Sequence, residues 1–254
     1  MRRFSMALAV VGVLAANPVW HSASAADWGN LKGRFVYSGT APTPKKIDTS
    51  KEALCSKHDV VDETVLVGKD GGLANVVLWV TTKNVKVNPE YESSAKDTVV
   101  LDNNGCRFQP HILPMRVTQT LEVKNSDPFS HNSNLSPIGE DPKNPLLGTD
   151  AAVEFHFGKQ QKVPFPVACN IHPWMKAHIV LKDHPYVAVS DKDGNFEIKD
   201  LPAEELEFVA WHENQGYLSA KSDWKKGAFK MKIKKGDNDL GEIKVDPKLV
   251  GPKK

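Results

Sequence analysis

Short runs of hydrophobic residues recur along the chain, separated by clusters of Gly, Pro, Asn and Asp. Residues 31–37 alternate between apolar and polar positions, whereas residues 74–80 form a continuous apolar run typical of a buried strand. Further strands are expected at 98–101, 116–123, 153–157, 178–181 and 206–211. The pattern therefore predicts an all-β protein with few helices.

The pattern changes character after residue 181. Two short apolar runs, 186–189 and 196–198, flank Asp193-Gly194 and predict a β-hairpin. Residues 229–233 alternate between apolar side chains and lysines, which is typical of a half-buried strand with one wet face. About seventy residues is small for an independent β-sandwich. The sequence leaves open whether this region packs on the preceding domain or takes a strand from the N-terminal part.

The first 25 residues have the features of a secretory signal peptide. Arg2 and Arg3 precede an apolar run at 6–16, and Ala23-Ser24-Ala25 is a cleavage signal. The apolar run is too short to span a membrane. We therefore expect a periplasmic or secreted protein with a signal peptide at 1–25, a first domain at 26–182 and a small second domain at 183–254.

The charge of the chain is nearly balanced, with 33 basic and 31 acidic residues among 254. Loss of Arg2 and Arg3 with the signal peptide removes the remaining excess of positive charge. A neutral chain gives no indication of a nucleic-acid or membrane-surface partner. Because no other apolar run reaches membrane-spanning length, we expect no membrane insertion.

Candidate chemistry is concentrated in one heptapeptide, where Cys169, His172 and Met175 follow one another at intervals of three residues. Thiolate, imidazole and thioether together suit copper in both oxidation states. Pro173 favours a tight loop between strands over a helix. Upstream, His131 lies beyond a predicted strand and is a candidate further ligand. A purely structural Cys-His-Met segment is the competing interpretation, whereas a haem attachment or zinc finger lacks the required second cysteine.

These residues resemble the copper loop of the cupredoxin family. The sequence Cys169-x-x-His172-Pro173-x-Met175 is similar to the ligand loop of amicyanin, and Ser130-His131-Asn132 resembles the first-ligand region of amicyanin and plastocyanin. The resemblance, which covers about residues 98–182, implies a Greek-key β-sandwich. It also implies one type 1 copper ion, with His131, Cys169 and His172 as equatorial ligands and Met175 as the axial one. Asn132 is then expected to tie the two ligand loops together.

The chain further resembles a group of secreted bacterial cupredoxin proteins, described as methylamine-utilisation-like, that extend beyond the copper loop, and the match is weak before Asn75. Residues 183–254, with Leu201-Pro202 after the expected hairpin, resemble carboxypeptidase-regulatory, transthyretin-like β-sandwiches. That motif is loose, because Ala203-Glu204-Glu205 replaces the usual glycine.

The resemblance implies a one-electron carrier, not an enzyme, acting between protein redox partners such as a cytochrome or a dehydrogenase. Pro173, Trp174 and Phe129 are expected to form an apolar docking face around the edge of His172, although Trp174 is large enough to cover the copper site instead. Two other functions stay open, namely copper delivery and catalysis by a mononuclear copper enzyme. Delivery proteins usually have Met- or His-rich entries, and the chain has only five scattered methionines.

The remaining two cysteines, Cys55 and Cys106, form an even pair in an oxidising compartment. We expect them to form a disulfide. The alternative is a second, structural metal site that joins them to His58 and His111. His212 is a further candidate functional residue, because its neighbour Glu213 is able to orient it.

Overall fold

The computed structural model describes residues 27–251 and is built almost entirely of β-strands. The first nine strands are β1 (Trp28–Tyr37), β2 (Val77–Val80), β3 (Thr98–Asn103), β4 (Phe108–Gln109), β5 (Ile112–Arg116), β6 (Thr120–Asn125), β7 (His131–Asn132), β8 (Asn134–Leu135) and β9 (Leu146–Leu147). The other nine are β10 (Ala152–Phe155), β11 (Phe165–Ala168), β12 (Lys176–Lys182), β13 (Val187–Val189), β14 (Asn195–Pro202), β15 (Glu205–His212), β16 (Gly216–Tyr217), β17 (Ala228–Lys232) and β18 (Gly236–Val245). The all-β prediction is confirmed.

Helical structure is confined to short segments. The described residues form two 3₁₀-helices, Cys55–Lys57 and Pro89–Glu92, and one α-helix, α1 (Pro247–Val250). Between residues 27 and 251, no helix has the length and hydrophobicity needed to cross a membrane. The signal peptide expected at 1–25 lies outside the described residues.

Two four-stranded sheets form the first sandwich, with strand orders β10-β6-β3-β4 and β5-β12-β11-β8. Their facing side chains form one apolar core, which includes Leu101, Leu121, Phe165 and Ile179. Strand β6 shows how the sequence produces this layer, because its buried residues alternate with half-buried ones. Cys169 and Met175 belong to the same core. The candidate ligand loop is therefore anchored in the packing of this sandwich.

The second sandwich combines strands from both ends of the chain. One sheet has the order β14-β1-β18, and the other has the order β13-β2-β15-β16, with β17 also paired to β15. Their shared core includes Phe35, Leu78, Phe208 and Ile243. Strands β1 and β2 thus lie with the strands that follow residue 182, whereas the sequence assigned them to a first domain at 26–182. About seventy residues are few for an independent core, and Leu31 and Phe35 of β1 with Leu78 of β2 contribute to the core of this sandwich.

Two local predictions from the pattern were wrong. The hairpin expected around Asp193-Gly194 is absent as a paired unit, because β13 pairs with β2 whereas β14 pairs with β1. The turn itself is present, with Gly194 at a φ of +81° and too close to the Phe35 carbonyl for a side chain. The single strand expected at 116–123 is divided between β5 and β6, with a turn at 117–119.

The two sandwiches pack against each other through a third apolar cluster, separate from the core of either sandwich. This cluster includes Trp79 from β2, Ile112 from β5, Val180 from β12 and Trp211 from β15. Because β2 is covered on both faces, its four residues are all buried, with Leu78 and Val80 facing one core and Val77 and Trp79 facing the other. The four larger sheets are consequently stacked, and β7 and β9 form a separate two-stranded sheet.

Candidate metal centre

The candidate ligands come together at one end of the first sandwich. His131 lies in β7, Cys169 follows β11, and His172 lies in the loop that leads into β12. Two backbone hydrogen bonds close this loop, from Met175 N to the His172 carbonyl at 2.8 Å and from Cys169 N to the Met175 carbonyl at 3.2 Å. The loop is thus held by β11 and β12, which pair with each other on either side of it.

The three donor atoms surround a single point. His131 Nδ1 and His172 Nδ1 are 2.9 Å apart, and Cys169 Sγ lies 3.9 and 3.8 Å from them. These three separations define a point about 2.1 Å from each atom, within the usual range of metal–nitrogen and metal–sulfur bonds of about 2.0–2.3 Å. All three side chains are at most 1% exposed. The residues present therefore fit a metal ion bound by two imidazoles and a thiolate.

Met175 is fully buried in the apolar core that also contains Cys169. Met175 ends the turn that begins at His172, so it belongs to the same loop as two of the other candidate ligands. Two imidazoles with one thiolate and a thioether form the donor set of electron-transfer copper sites. The chemistry of the donors therefore favours copper over zinc or a hard cation.

Asn132 joins the two ligand loops. Its side-chain oxygen accepts hydrogen bonds from Asn170 N at 2.8 Å and Ile171 N at 3.2 Å, and lies 3.4 Å from Cys169 Sγ. The Asn132 amide in turn donates to Asn144. Because Asn132 adjoins His131, these bonds fix the position of Cys169 relative to the histidine.

Asp127 orients His131 from the opposite side. One carboxylate oxygen lies 2.9 Å from His131 Nε2, and the same carboxylate accepts backbone hydrogen bonds from Gly105 and Cys106. With Nε2 bound to a carboxylate, Nδ1 of His131 is the nitrogen left to face the cluster. Asp127 was missed by sequence reasoning. Its position four residues before His131, after the end of β6, was the available signal.

The protonation states of the cluster suit metal binding. Burial raises the pKa of the Cys169 thiol, but hydrogen bonds from His131 and from backbone N–H groups outweigh it and leave that pKa below its usual value. Burial and the neighbouring His131 lower the pKa of His172. A thiolate and a neutral imidazole, the forms that bind metals, are thereby favoured.

A covering segment that includes Ile47, Cys55 and Val60 lies over the end of the first sandwich. Phe129 and Trp174 pack against these residues and Cys106, and the Trp174 indole donates to the Cys106 carbonyl at 3.2 Å. His172 is 1% exposed. The rings of Phe129 and Trp174 lie beside that of His172, and a carboxylate oxygen of Glu52 in the covering segment lies 3.9 Å from His172 Nε2. Of the two roles expected for Trp174, the structure therefore favours covering the histidine, and the docking face stays a prediction.

A disulfide joins the covering segment to the sandwich. Cys55 and Cys106 are bonded, with their Cα atoms 5.6 Å apart, which confirms the predicted pairing. It excludes the alternative metal site that used both thiols. Nothing in the pattern of 45–63 indicated that this segment covers the ligand loop, because the contacts that hold it there, such as the Cys55–Cys106 disulfide, join residues distant in sequence.

Comparisons with known proteins provide partial likenesses. No protein-family model matches the chain, and no curated protein matches it. Among solved structures, it is similar to a copper-containing nitrite reductase from Thermus scotoductus SA-01, with 27% identity and a TM-score of 0.31. That match covers 33% of this chain and 22% of the reductase, so this chain spans less than a quarter of that protein.

Two further similar structures are matched over all or nearly all of their own length. A reduced variant of amicyanin shows 18% identity and a TM-score of 0.31 over 41% of this chain and 98% of that one. A purple cupredoxin from Nitrosopumilus maritimus shows 20% identity and a TM-score of 0.29, covering 34% of this chain and all of that one. At these TM-scores the likeness assigns no family to the chain. The case for a metal rests on the geometry of the site itself.

Proposed function

We propose that the protein is a secreted type 1 copper protein that carries single electrons between protein redox partners, such as a cytochrome or a dehydrogenase. The observation that carries this proposal is the buried cluster of His131, Cys169 and His172, whose donor atoms surround one point at metal-bonding distance. Copper held there supplies a one-electron couple between Cu(I) and Cu(II). Met175 is the proposed axial ligand.

The chain's own residues hold this cluster in place. Asp127 fixes the ring of His131, and Asn132 fixes the Cys169 loop. Because both supports are themselves bound to backbone groups, the donors need little rearrangement when the charge at the site changes. A site that does not rearrange is suited to rapid electron transfer.

Burial favours a carrier over the other two copper functions. An enzyme needs an open coordination position that a substrate can reach, whereas all three donors here are at most 1% exposed. A delivery protein needs an accessible entry for copper, whereas His172 is only 1% exposed and has Glu52 of the covering segment 3.9 Å from its Nε2. If copper is released readily to a chelator, delivery becomes the better interpretation.

The loop that carries His172 also supplies exposed apolar surface. Ile171 is 48% exposed and Pro173 is exposed, on either side of the buried histidine. The half-buried Trp174 lies next to His172, and the centroids of their rings are 5.2 Å apart. We place the docking site for a redox partner at this patch, because small apolar patches commonly serve weak redox encounters.

Electron exchange with a soluble c-type cytochrome tests this function. Copper-loaded protein is expected to be oxidised and reduced reversibly, and Ile171→Glu to slow the exchange several-fold while leaving the visible spectrum unchanged. The matched control is Ile138→Glu. Ile138 is 65% exposed, and its backbone N–H donates a hydrogen bond to the Gln161 side chain. Gln161 in turn contacts Leu181, at the end of β12 that is distant from the copper loop. Equal slowing by both variants contradicts the docking site, and copper that cannot be cycled contradicts the carrier function.

A further inference from the structure

A second cluster of potential metal ligands lies where the two sandwiches meet. His111 precedes β5, His178 lies on β12, and Glu213 follows β15. Each offers one donor atom, and the three atoms lie within 4.8 Å of one another. The cluster draws one residue from the second sandwich and two from the first. It shares no residue with the candidate copper site.

The Glu213 carboxylate lies between the two imidazoles. One of its oxygens is 2.5 Å from His111 Nε2, and the other is 3.8 Å from His178 Nδ1. The histidines are held in register by the backbone, since His178 N donates to the His111 carbonyl at 2.9 Å. Two ligands of a tetrahedral ion with bonds of about 2.1 Å are about 3.4 Å apart. The observed separations bracket that value, so small side-chain rotations suffice to bring the donors around one ion.

Two ring nitrogens of this cluster are buried without a hydrogen-bond partner. They are His111 Nδ1 and His178 Nδ1, and the side chains are only 8% and 16% exposed. An unpaired buried polar atom is costly, and each such atom needs a physical explanation. His178 Nδ1 is the atom that faces Glu213. A bound cation supplies the partner that this nitrogen lacks among residues 27–251.

The charge at the cluster agrees with a bound cation. The Glu213 side chain is only 7% exposed, and a carboxylate so deeply buried normally has a cationic partner. His111, if protonated, supplies one such partner, and a divalent ion supplies another.

The surroundings resemble the outer shell of a metal site. Glu63 approaches His111 Nδ1 at 3.8 Å and is itself bound by Arg107 at 3.2 Å. A carboxylate on the far nitrogen of a ligating histidine fixes its ring and raises its basicity. A cavity of about 100 Å³ adjoins the cluster and is lined by residues that include Glu63, His111 and Met175. It offers room for a water molecule or a small ligand on the ion.

From these observations we infer that His111, His178 and Glu213 form a second metal site, which takes one divalent first-row transition ion of the zinc type. Two imidazoles and one carboxylate are a ligand set of such ions, with a fourth position left for water. Bound metal joins residues before β5, on β12 and after β15. The bound metal therefore links the two sandwiches at their interface.

Cobalt titration of the copper-loaded full-length protein tests the inference, because Co²⁺ substitutes for zinc and absorbs visible light according to its coordination. We expect the protein to bind one Co²⁺ per chain in addition to copper. Added Zn²⁺ should displace the Co²⁺ and leave the copper in place. Glu213→Gln is expected to lose this equivalent, and His178→Gln serves as a second variant should Glu213→Gln fold poorly. The matched control is His156→Gln, because His156 is exposed and lies outside the cluster.

The outcomes separate this site from the first one. Loss of the cobalt equivalent in Glu213→Gln but not in His156→Gln, with the copper spectrum intact in both, supports the inference. Zn²⁺ should also raise the melting temperature of the wild type and not that of Glu213→Gln. Unchanged cobalt binding in both Glu213→Gln and His178→Gln, or no binding beyond the copper site in the wild type, overturns it.

Discussion

The two sandwiches have the same architecture but use their buried polar groups differently. In the second sandwich such groups tie the backbone, as when the Tyr186 hydroxyl donates to the Asp200 carbonyl and the Ser190 hydroxyl to that of Leu73. In the first sandwich, buried polar side chains at one end bind each other, as Asp127 binds His131. The strands supply rigidity in both sandwiches, whereas the chemistry of the first comes from the loop between β6 and β7, the short strand β7 and the loop between β11 and β12.

The largest effect is expected from the thiolate. Cys169→Ser should abolish the intense visible charge-transfer band of the Cu(II) protein, because only the thiolate produces that transition, and should leave the far-ultraviolet circular dichroism unchanged. The control is the double variant Cys55→Ser and Cys106→Ser. It loses up to about 4 kcal/mol of loop-closure stabilisation and should keep the band. A Cys169→Ser protein that remains intensely coloured refutes the ligand assignment.

Replacing one buried phenylalanine in each sandwich compares how the two cores affect stability and the copper spectrum. Phe165 in the first core and Phe208 in the second are at most 1% exposed, so replacement of either by Ala should lower the free energy of unfolding by about 3–5 kcal/mol. Phe165 lies on β11, four residues before Cys169, so only Phe165→Ala should also alter the copper spectrum. Urea unfolding and optical spectra measure both effects. An altered spectrum in Phe208→Ala would show that the sandwiches are coupled.

The contact between the sandwiches should depend on pH through Lys182. Its Nζ lies 4.3 Å from the centroid of the Trp79 ring and donates to the Gln161 carbonyl at 2.7 Å. Burial lowers the pKa of Lys182 from 10.5 to about 8. Between pH 8 and pH 10.5, Lys182 is protonated in the unfolded chain but neutral in the folded protein. The free energy of unfolding therefore rises with pH over this range, and Lys182 contributes about 3 kcal/mol at most to the rise.

Urea unfolding of wild type and Lys182→Met at pH 8 and pH 10.5 checks this dependence. The free energy of unfolding of the wild type minus that of Lys182→Met should be larger at pH 10.5 than at pH 8. A difference that is independent of pH would mean that Lys182 is solvated in the folded state.

The smallest effect is expected at the axial position. Met175→Leu should retain copper but raise the reduction potential, because loss of the weak thioether donor favours Cu(I). Met115→Leu is the matched control, since Met115 is also buried in the first core. A redox titration measures the shift. Equal potentials in Met175→Leu and the wild type would show that Met175 is not a ligand.

Sequence reasoning succeeded where the relevant contacts are local. The alternation in 229–233 predicted a half-buried strand, and β17 has half-buried Phe229 and Met231 with exposed Lys230 between them. The spacing of Cys169 and His172 likewise indicated a loop, because Pro173 interrupts any helix there. Both inferences needed only neighbouring residues.

The inferences that failed involve partners distant in the chain. The alternating pattern of β1 does not say that it pairs with β18, about 200 residues away. Likewise, the sequence around His172 carries no sign that Glu52 of the covering segment lies beside its ring. Glu213 was considered only as a neighbour of His212, although the fold places it against His111 and His178 instead. Each of these contacts is decided by packing between sheets, which local periodicity does not encode.

X-ray absorption at the copper edge of the copper-loaded protein identifies the ligands, because it counts the atoms bound to the metal. We expect one short sulfur neighbour and two nitrogen neighbours, with the sulfur lost in Cys169→Ser and both nitrogens retained. A wild-type spectrum with only nitrogen and oxygen neighbours, or one unaffected by Cys169→Ser, would contradict a copper site built from His131, Cys169 and His172.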